Sequence, residues 1–413
     1  MAIGTTSTLS NATRTQYLAD YIRGAMAARV YDQFASPIGM PMAELQKGTS
    51  VLVNFLSDLA PATAAISQTV DVTPVTFRDA TASITPTSRS NAIQDSELLR
   101  IQGYTNYGVE CFEAIGKNMI ESVDLLAQAA ATQGLNVDRT AARASLDAGT
   151  ASHRLIDTTF AKAQAKFATM KVPGFVDPGG DLAFPPWFAV MHPYPYHDLR
   201  TSGLIDDISV YQNADISLNY VLGKIGPFRL VVTPWAKTFW GAGIDNGTNI
   251  ATTLNGDVNA LDKTIVVASA TSIAVGMALN IGTEETGGTH YPTNERVWID
   301  DSWTSGTTLP IIGEGVTGGL RFDHATGAAV RNADSVYAVV LGGPKSLAKV
   351  YAENLIGDAG VEMNVGEFGV IVGPKVDGRV NQFVSLGWKY YGGYGRISES
   401  HLLRVEVSTS FEA

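Results

Sequence analysis

Three groups of residues in this sequence have types and spacings that could do chemistry. His192 and His197, the latter followed by Asp198, are metal-ligating types, and two imidazoles beside a carboxylate make a familiar zinc donor set. Their i, i+5 spacing places the rings on different faces of a helix, and Pro193 and Pro195 break regular geometry, so a structural role is expected. Gly392-Gly393-Tyr394-Gly395-Arg396 is glycine-rich in the manner of a phosphate cradle. No Lys-Ser/Thr follows it and its flanks read as β, so a turn is expected. Asp206-Asp207, Glu284-Glu285 and Asp300-Asp301 are adjacent rather than convergent, which suits solvated loops and not acid–base catalysis. GxSxG and HExxH patterns are absent. The sequence therefore predicts no enzyme, with no catalytic, cofactor-binding or metal residues.

The most basic tract is Arg139, Arg143 and Arg154 with Lys162, Lys166 and Lys171 beyond. Lys162 and Lys166 share a helix face, and a solvated surface is the default reading. Cys111, the single cysteine, falls in an apolar helical stripe and reads as a buried structural thiol. One cysteine allows neither an intrachain disulfide framework nor a CxxC metal knuckle.

Composition narrows the class. Hydrophobic residues make up 45% of the 413 and charged residues 17%, against about 25% charged in ordinary soluble domains. The deficit leaves surface for contact with other subunits. A net charge of −11 argues against a dedicated nucleic-acid binder, although Arg14, Arg23 and Arg29 face only Asp20 in the first thirty residues. The start, MAIGTTSTLSNATRTQ, has no basic region followed by an apolar one, so no signal peptide is expected. No segment reaches the ~18 apolar residues that would span a bilayer. A reducing cytoplasm is the expected compartment and no membrane partner is expected.

The positioning elements follow from hydrophobic period. Residues 13–34 read as an amphipathic helix carrying Tyr17 and Tyr21, broken by Ser36-Pro37-Ile38-Gly39-Met40-Pro41. Residues 48–92 read as a long, weakly charged β-ribbon, with Phe55, Val72, Val75, Phe77 and Arg78 as candidate inter-subunit contacts. Such a ribbon cannot bury a face alone and needs a partner surface. The clearest helix runs from Asn106 to about Gly134, with Val109, Phe112, Gly116, Met119, Val123, Leu126 and Ala130 as its stripe. A second helix covers Thr158–Met170 and stops at Val172-Pro173-Gly174. Strands at 187–191, 228–233 and 335–341 alternate with a short helix around 196–201 and another predicted over 345–351. Residues 246–332 hold only short strands divided by Gly, Thr, Ser and Asn, as an all-β module inserted in a surface loop would. Residues 368–372, 382–391 and 402–409 return to β-structure.

This order of elements resembles the Hong Kong 97-like coat fold of tailed phages, herpesviruses and encapsulins, an α+β fold. Thr76-Phe77-Arg78, Ile84-Thr85-Pro86, Tyr104-x2-Tyr107-Gly108, Leu386-Gly387-Trp388-Lys389-Tyr390-Tyr391-Gly392 and Arg404-Val405-Glu406 resemble more specifically the major capsid family of N4-like podoviruses. The resemblance implies an N-terminal arm (1–47), an extended loop (48–94), a peripheral domain with a spine helix (95–185 and 381–413), an axial domain (186–245 and 333–380) and an inserted β-rich domain (246–332). Thr264-Ile265-Val266-Val267, with Gly287-Gly288 and Leu320-x3-His324-x2-Gly327, makes the insert similar to modules on the outer face of phage structural proteins.

It implies a shell of pentamers and hexamers in a virion assembled in the host cytoplasm. The implied partners are a portal protein, separate scaffolding and decoration proteins, and double-stranded DNA held without sequence-specific binding. Arg139, Arg143, Arg154, Lys162 and Lys166 would form a basic patch facing the lumen. Lys47 has no Lys–Asn–acid trio around it, so covalent crosslinking is not predicted. The competing readings are an encapsulin-like nanocompartment and a tail or adhesin protein whose β insert binds glycans through Trp298 and Trp303.

Overall fold

The structure is a computed structural model. It describes residues 30–41, 50–56, 59, 63, 74–76, 78–96, 107–175, 186–202, 224–244, 250–283, 292–315, 317–353, 362–364, 369–377 and 382–412. The chain divides into two compact units, Met1–Ala130 with Lys345–Ser398 and Ala131–Pro344 with Glu399–Ala413. The mixture of helix and strand is α+β, with strands dominant.

In the first unit, helix α1 (Tyr107–Thr132) runs for 26 residues, about 39 Å at 1.5 Å per residue. Its buried positions are Cys111, Ile115, Met119, Ile120, Val123, Ala127 and Ala131, with Phe112 and Leu126 at the margin. Gly116, Met119 and Val123 of the expected stripe are therefore buried, Phe112, Leu126 and Ala130 lie at its margin, and the side chain of Val109 is outside the described residues. This face packs on Ile371, Leu386, Trp388 and Tyr390.

The sheet beneath is organised by Phe383–Arg396, which pairs antiparallel with Thr87–Ser96, Val370–Asp377 and Leu347–Glu353. Ala35–Pro41 adds to Leu347–Glu353 in parallel. Two expectations change here. Residues 36–41 form an edge strand rather than a break, because an edge has one side on which Pro37 and Pro41 need no amide. Residues 347–353 form a strand rather than a helix: Leu347, Ala348, Lys349 and Val350 are all buried, between neighbours on both sides. The ribbon pairs Val51–Leu56 with Asp79–Ile84 in a separate two-stranded sheet.

In the second unit the central strand Val336–Gly342 is buried along its whole length, flanked by Leu402–Val407 and Trp187–Met191. Helix α2 (Asp157–Thr169) covers one face through Phe160, Ala163 and Phe167, while Met170 stays exposed. Helix α3 (Pro193–Thr201) follows the strand Trp187–Met191. Thr238–Phe239 also pairs with Val336–Gly342. Between these two neighbouring strands lies a six-stranded antiparallel sheet formed by residues 251–331. Its end strands, Ala251–Thr253 and Thr264–Val266, are tied by Asn255 N–H to Val266 O and Ala268 N–H to Thr253 O, both 2.8 Å. The sheet thus closes on itself around its own core of Leu254, Ile265, Leu279, Val297, Leu309 and Val330, leaving little edge to aggregate.

Strand pairing regroups three segments relative to the sequence reading. Residues 347–353 and 370–377 join the α1 sheet rather than the 187–191 sheet, and Leu402–Val407 does the reverse. Each run is apolar enough for either sheet, and only long-range partners decide.

Candidate functional site

Two surfaces carry the functional argument, an apolar ribbon and a basic cluster. The ribbon is fixed at its base. Ile84 is buried and packs with Ala348 and Val350, beside Val51. Close approach is possible because Phe383–Arg396 carries glycines: a Cβ at Gly395 would lie 2.5 Å from Ile84 Cγ1, and one at Gly393 would lie 2.8 Å from Thr85 O. The glycine-rich run 392–396 is therefore strand interior, not the expected turn, and its missing side chains make room for another segment. Beyond the base the ribbon is open: Leu52 is 60% exposed, Leu56 71% and Val75 73%. Arg78 is also exposed. Phe55 lies in the strand but its side chain is outside the described residues, as are Val72, Phe77, Tyr17 and Tyr21.

The segment entering Ala35–Pro41 is anchored by two acids. Asp124 Oδ1, from α1, accepts N–H bonds from Val30, Tyr31 and Asp32 at 3.1, 2.7 and 2.9 Å. Asp32 in turn accepts from Lys349 Nζ at 3.1 and 3.2 Å and from the Tyr394 hydroxyl at 2.6 Å. Sequence reasoning missed this anchor, since Asp124 looks like an ordinary polar residue on an amphipathic helix.

The basic tract is largely engaged. Arg143 binds the fully buried Glu406 carboxylate with Nη2 at 2.6 Å and Nε at 3.1 Å, and Arg139 Nη1 approaches it at 3.3 Å. Arg404, which the sequence reading did not count in the basic tract, adds Nε at 2.9 Å. Burial would raise the Glu406 pKa, but its Arg143 bond and the three guanidinium charges lower it overall. Arg143 also stacks on Phe239, 3.8 Å from the ring centre. Arg154 donates to Ala148 O at 3.1 and 2.7 Å, and Lys166 pairs with Asp138 at 3.1 Å. Lys162 is exposed on α2.

Of the residues that suggested chemistry, Asp206-Asp207 and Glu284-Glu285 lie outside the described residues, and the histidines and Asp300 have the following contacts. His192 caps α3, with Nδ1 accepting the Tyr194 N–H at 3.2 Å, and its ring lies between Tyr194 and Tyr337. Burial pushes its pKa down to about 4. His197 is half exposed and packs edge-on against Phe411. Asp300 accepts the Ser302 N–H, and the Ser302 hydroxyl and amide lower its pKa. Trp303, partly buried, packs against the core of the closed sheet, and Arg296 lies over Trp298 at 5.6 Å. Among the described residues no His/Cys/Asp/Glu group of metal-binding size occurs, and no helix is long and apolar enough to cross a membrane.

No family model matches this chain, and no curated protein does. Solved structures do. A chain from the capsid of Ralstonia phage GP4 superposes with a TM-score of 0.51 over 92% of this chain and 92% of that one, at 10% identity. A chain from the cyanophage Pam1 capsid asymmetric unit gives 0.50 over 91% and 89%, also at 10%. This chain has the fold of a phage capsid subunit. At such identity the capsid fold is held by burial pattern rather than by particular side chains, which explains why sequence comparison is silent.

Proposed function

We propose that this chain is the major capsid protein of a tailed bacteriophage, which self-assembles into an icosahedral shell around double-stranded DNA. One observation carries the reading: a ribbon pinned at Ile84 extends large apolar side chains into solvent at Leu52, Leu56 and Val75. A free two-stranded ribbon is marginal in water, and an apolar patch of this kind marks a contact surface. The natural cover is another copy of the subunit, in heterologous contacts that close into pentamers and hexamers. The role is structural rather than catalytic.

In the Hong Kong 97-like scheme, 1–47 is the N-terminal arm, 48–94 the extended loop and α1 the spine of the peripheral domain. The sheet around Val336–Gly342 is the axial domain, and 246–332 is an inserted β domain. Its entry and exit support that placement, since Gly243 N–H bonds Asp334 O at 2.7 Å and Asp334 N–H bonds Ile244 O at 2.9 Å. Chain ends this close let an insertion leave the host sheet intact. Portal, scaffolding and decoration proteins complete the particle, and the basic tract faces the lumen.

Negative-stain microscopy of the overexpressed protein tests the reading. Shells are expected, and removal of residues 60–75 should leave a folded subunit that forms none. A compact monomer at high concentration, or normal shells from the deletion, would overturn it.

A further inference from the structure

The strand Leu402–Val407 alternates, so Arg404 and Glu406 project from the same face. Val137–Asp138 pairs parallel beside it, Arg404 opposite Val137, which delivers Arg139. The turn Arg143–Ser145 supplies Arg143. Among the described residues, three guanidinium groups therefore meet one carboxylate, and the contacts at 2.6, 2.9, 3.1 and 3.3 Å occupy both its oxygens. Three positive charges against one leave a local excess, in a chain whose total charge is −11. Such an excess is costly where water is scarce. Burial lowers the Arg404 pKa, and the Arg143 and Arg139 charges lower it further.

We propose that Arg139, Arg143 and Arg404 form a binding site for a phosphate-type oxyanion. Arg139 is the entry side: its side chain is 37% exposed, whereas those of Arg143 and Arg404 are 14% and 10% exposed. Arg139 commits Nη1 to Glu406 at 3.3 Å, longer than a strong charge-assisted bond. A guanidinium has five donors in a planar fork that fits two oxygens of a phosphate at once. An incoming oxyanion would offset the surplus charge while Glu406 continues to fix the arginine planes. The ligand is either free phosphate or a phosphodiester of nucleic acid. The second source rests on the proposed DNA-filled shell; the site itself does not.

Two probes separate the sources, applied to the full chain and to Arg139→Gln, with Lys263→Gln, an exposed cation outside the basic tract, as a control. Thermal unfolding is followed in sodium phosphate against sodium chloride at equal ionic strength. Anisotropy of a labelled short DNA duplex is followed across a salt series. For wild type and Lys263→Gln, phosphate should raise the melting temperature beyond chloride, and Arg139→Gln should abolish the difference. Duplex binding should weaken about tenfold in Arg139→Gln, with the salt slope reduced by about one. A phosphate effect without a duplex effect keeps the site and assigns it to free phosphate. If wild type responds to neither probe, or Arg139→Gln responds as wild type does, the proposal is wrong and the cluster is only a fixture of the fold. Shell formation, scored separately by microscopy, is unaffected by either outcome.

Discussion

Ile84 fills the space above Gly395, where a Cβ would come within 2.5 Å of its Cγ1. The described part of the ribbon is thus anchored at Ile84, while Leu52 and Leu56 farther along it are exposed. Gly395→Ala should displace Ile84 at a cost of about 1–3 kcal/mol, read as a lower urea midpoint. Because the change also re-aims the ribbon, shells should become irregular under conditions where the subunit stays folded.

Leu52→Gln combined with Leu56→Gln should separate folding from assembly. Both side chains are mostly exposed, so subunit stability should move by no more than about 0.5 kcal/mol. Particle yield, measured by sedimentation, should nevertheless collapse. Unchanged yield would mean that these leucines meet no neighbour.

The Asp124 anchor gives a signed pH prediction. Burial drives its carboxyl from 3.8 up to about 6, against the lowering pull of three N–H bonds. The folded state therefore holds an extra proton between those values. That contribution is present at low pH and is lost as the pH rises through about 6. Asp124→Asn keeps an acceptor oxygen without the titration, so its stability relative to wild type should rise between about pH 4 and pH 7. Asp124→Ala orphans three amides and should cost about 3 kcal/mol or more.

Glu406 behaves oppositely. Its pKa is lowered in the fold, so its stabilisation holds above the ordinary carboxylate range and is lost as pH falls through its folded value. Glu406→Gln should remove that acid limb and destabilise by about 3–5 kcal/mol, since three guanidinium groups lose their counter-charge. Denaturant titration at neutral and acidic pH checks both effects.

Local periodicity made much of the fold legible. The α1 repeat, the strands at 187–191, 228–232 and 402–407, and the strand-only stretch 251–331 are all written in windows of about ten residues, the range over which side-chain direction repeats. The ribbon was legible in its paired strands 51–56 and 79–84, whereas 87–92, read as its continuation, belongs to a strand of the α1 sheet.

The candidate site was legible only in part. Arg139, Arg143 and Lys166 were noticed as one basic tract, yet Glu406 and Arg404, more than two hundred residues later, decide what the arginines do.

What the sequence determined by itself was therefore the inventory: a long helix, many strands, an all-β stretch and a low share of charged residues. Only tertiary structure decided the pairing. Lys345–Tyr351 has an apolar pattern that suits a helix or a strand, and neighbours at Ala35–Pro41 and Gly392–Arg396 made it a strand. Gly392, Gly393 and Gly395 read as a turn until another segment was seen packed against them. The physical reason is the same in each case. Backbone direction is set by near neighbours, whereas burial and charge compensation depend on partners that the chain brings together only when it folds.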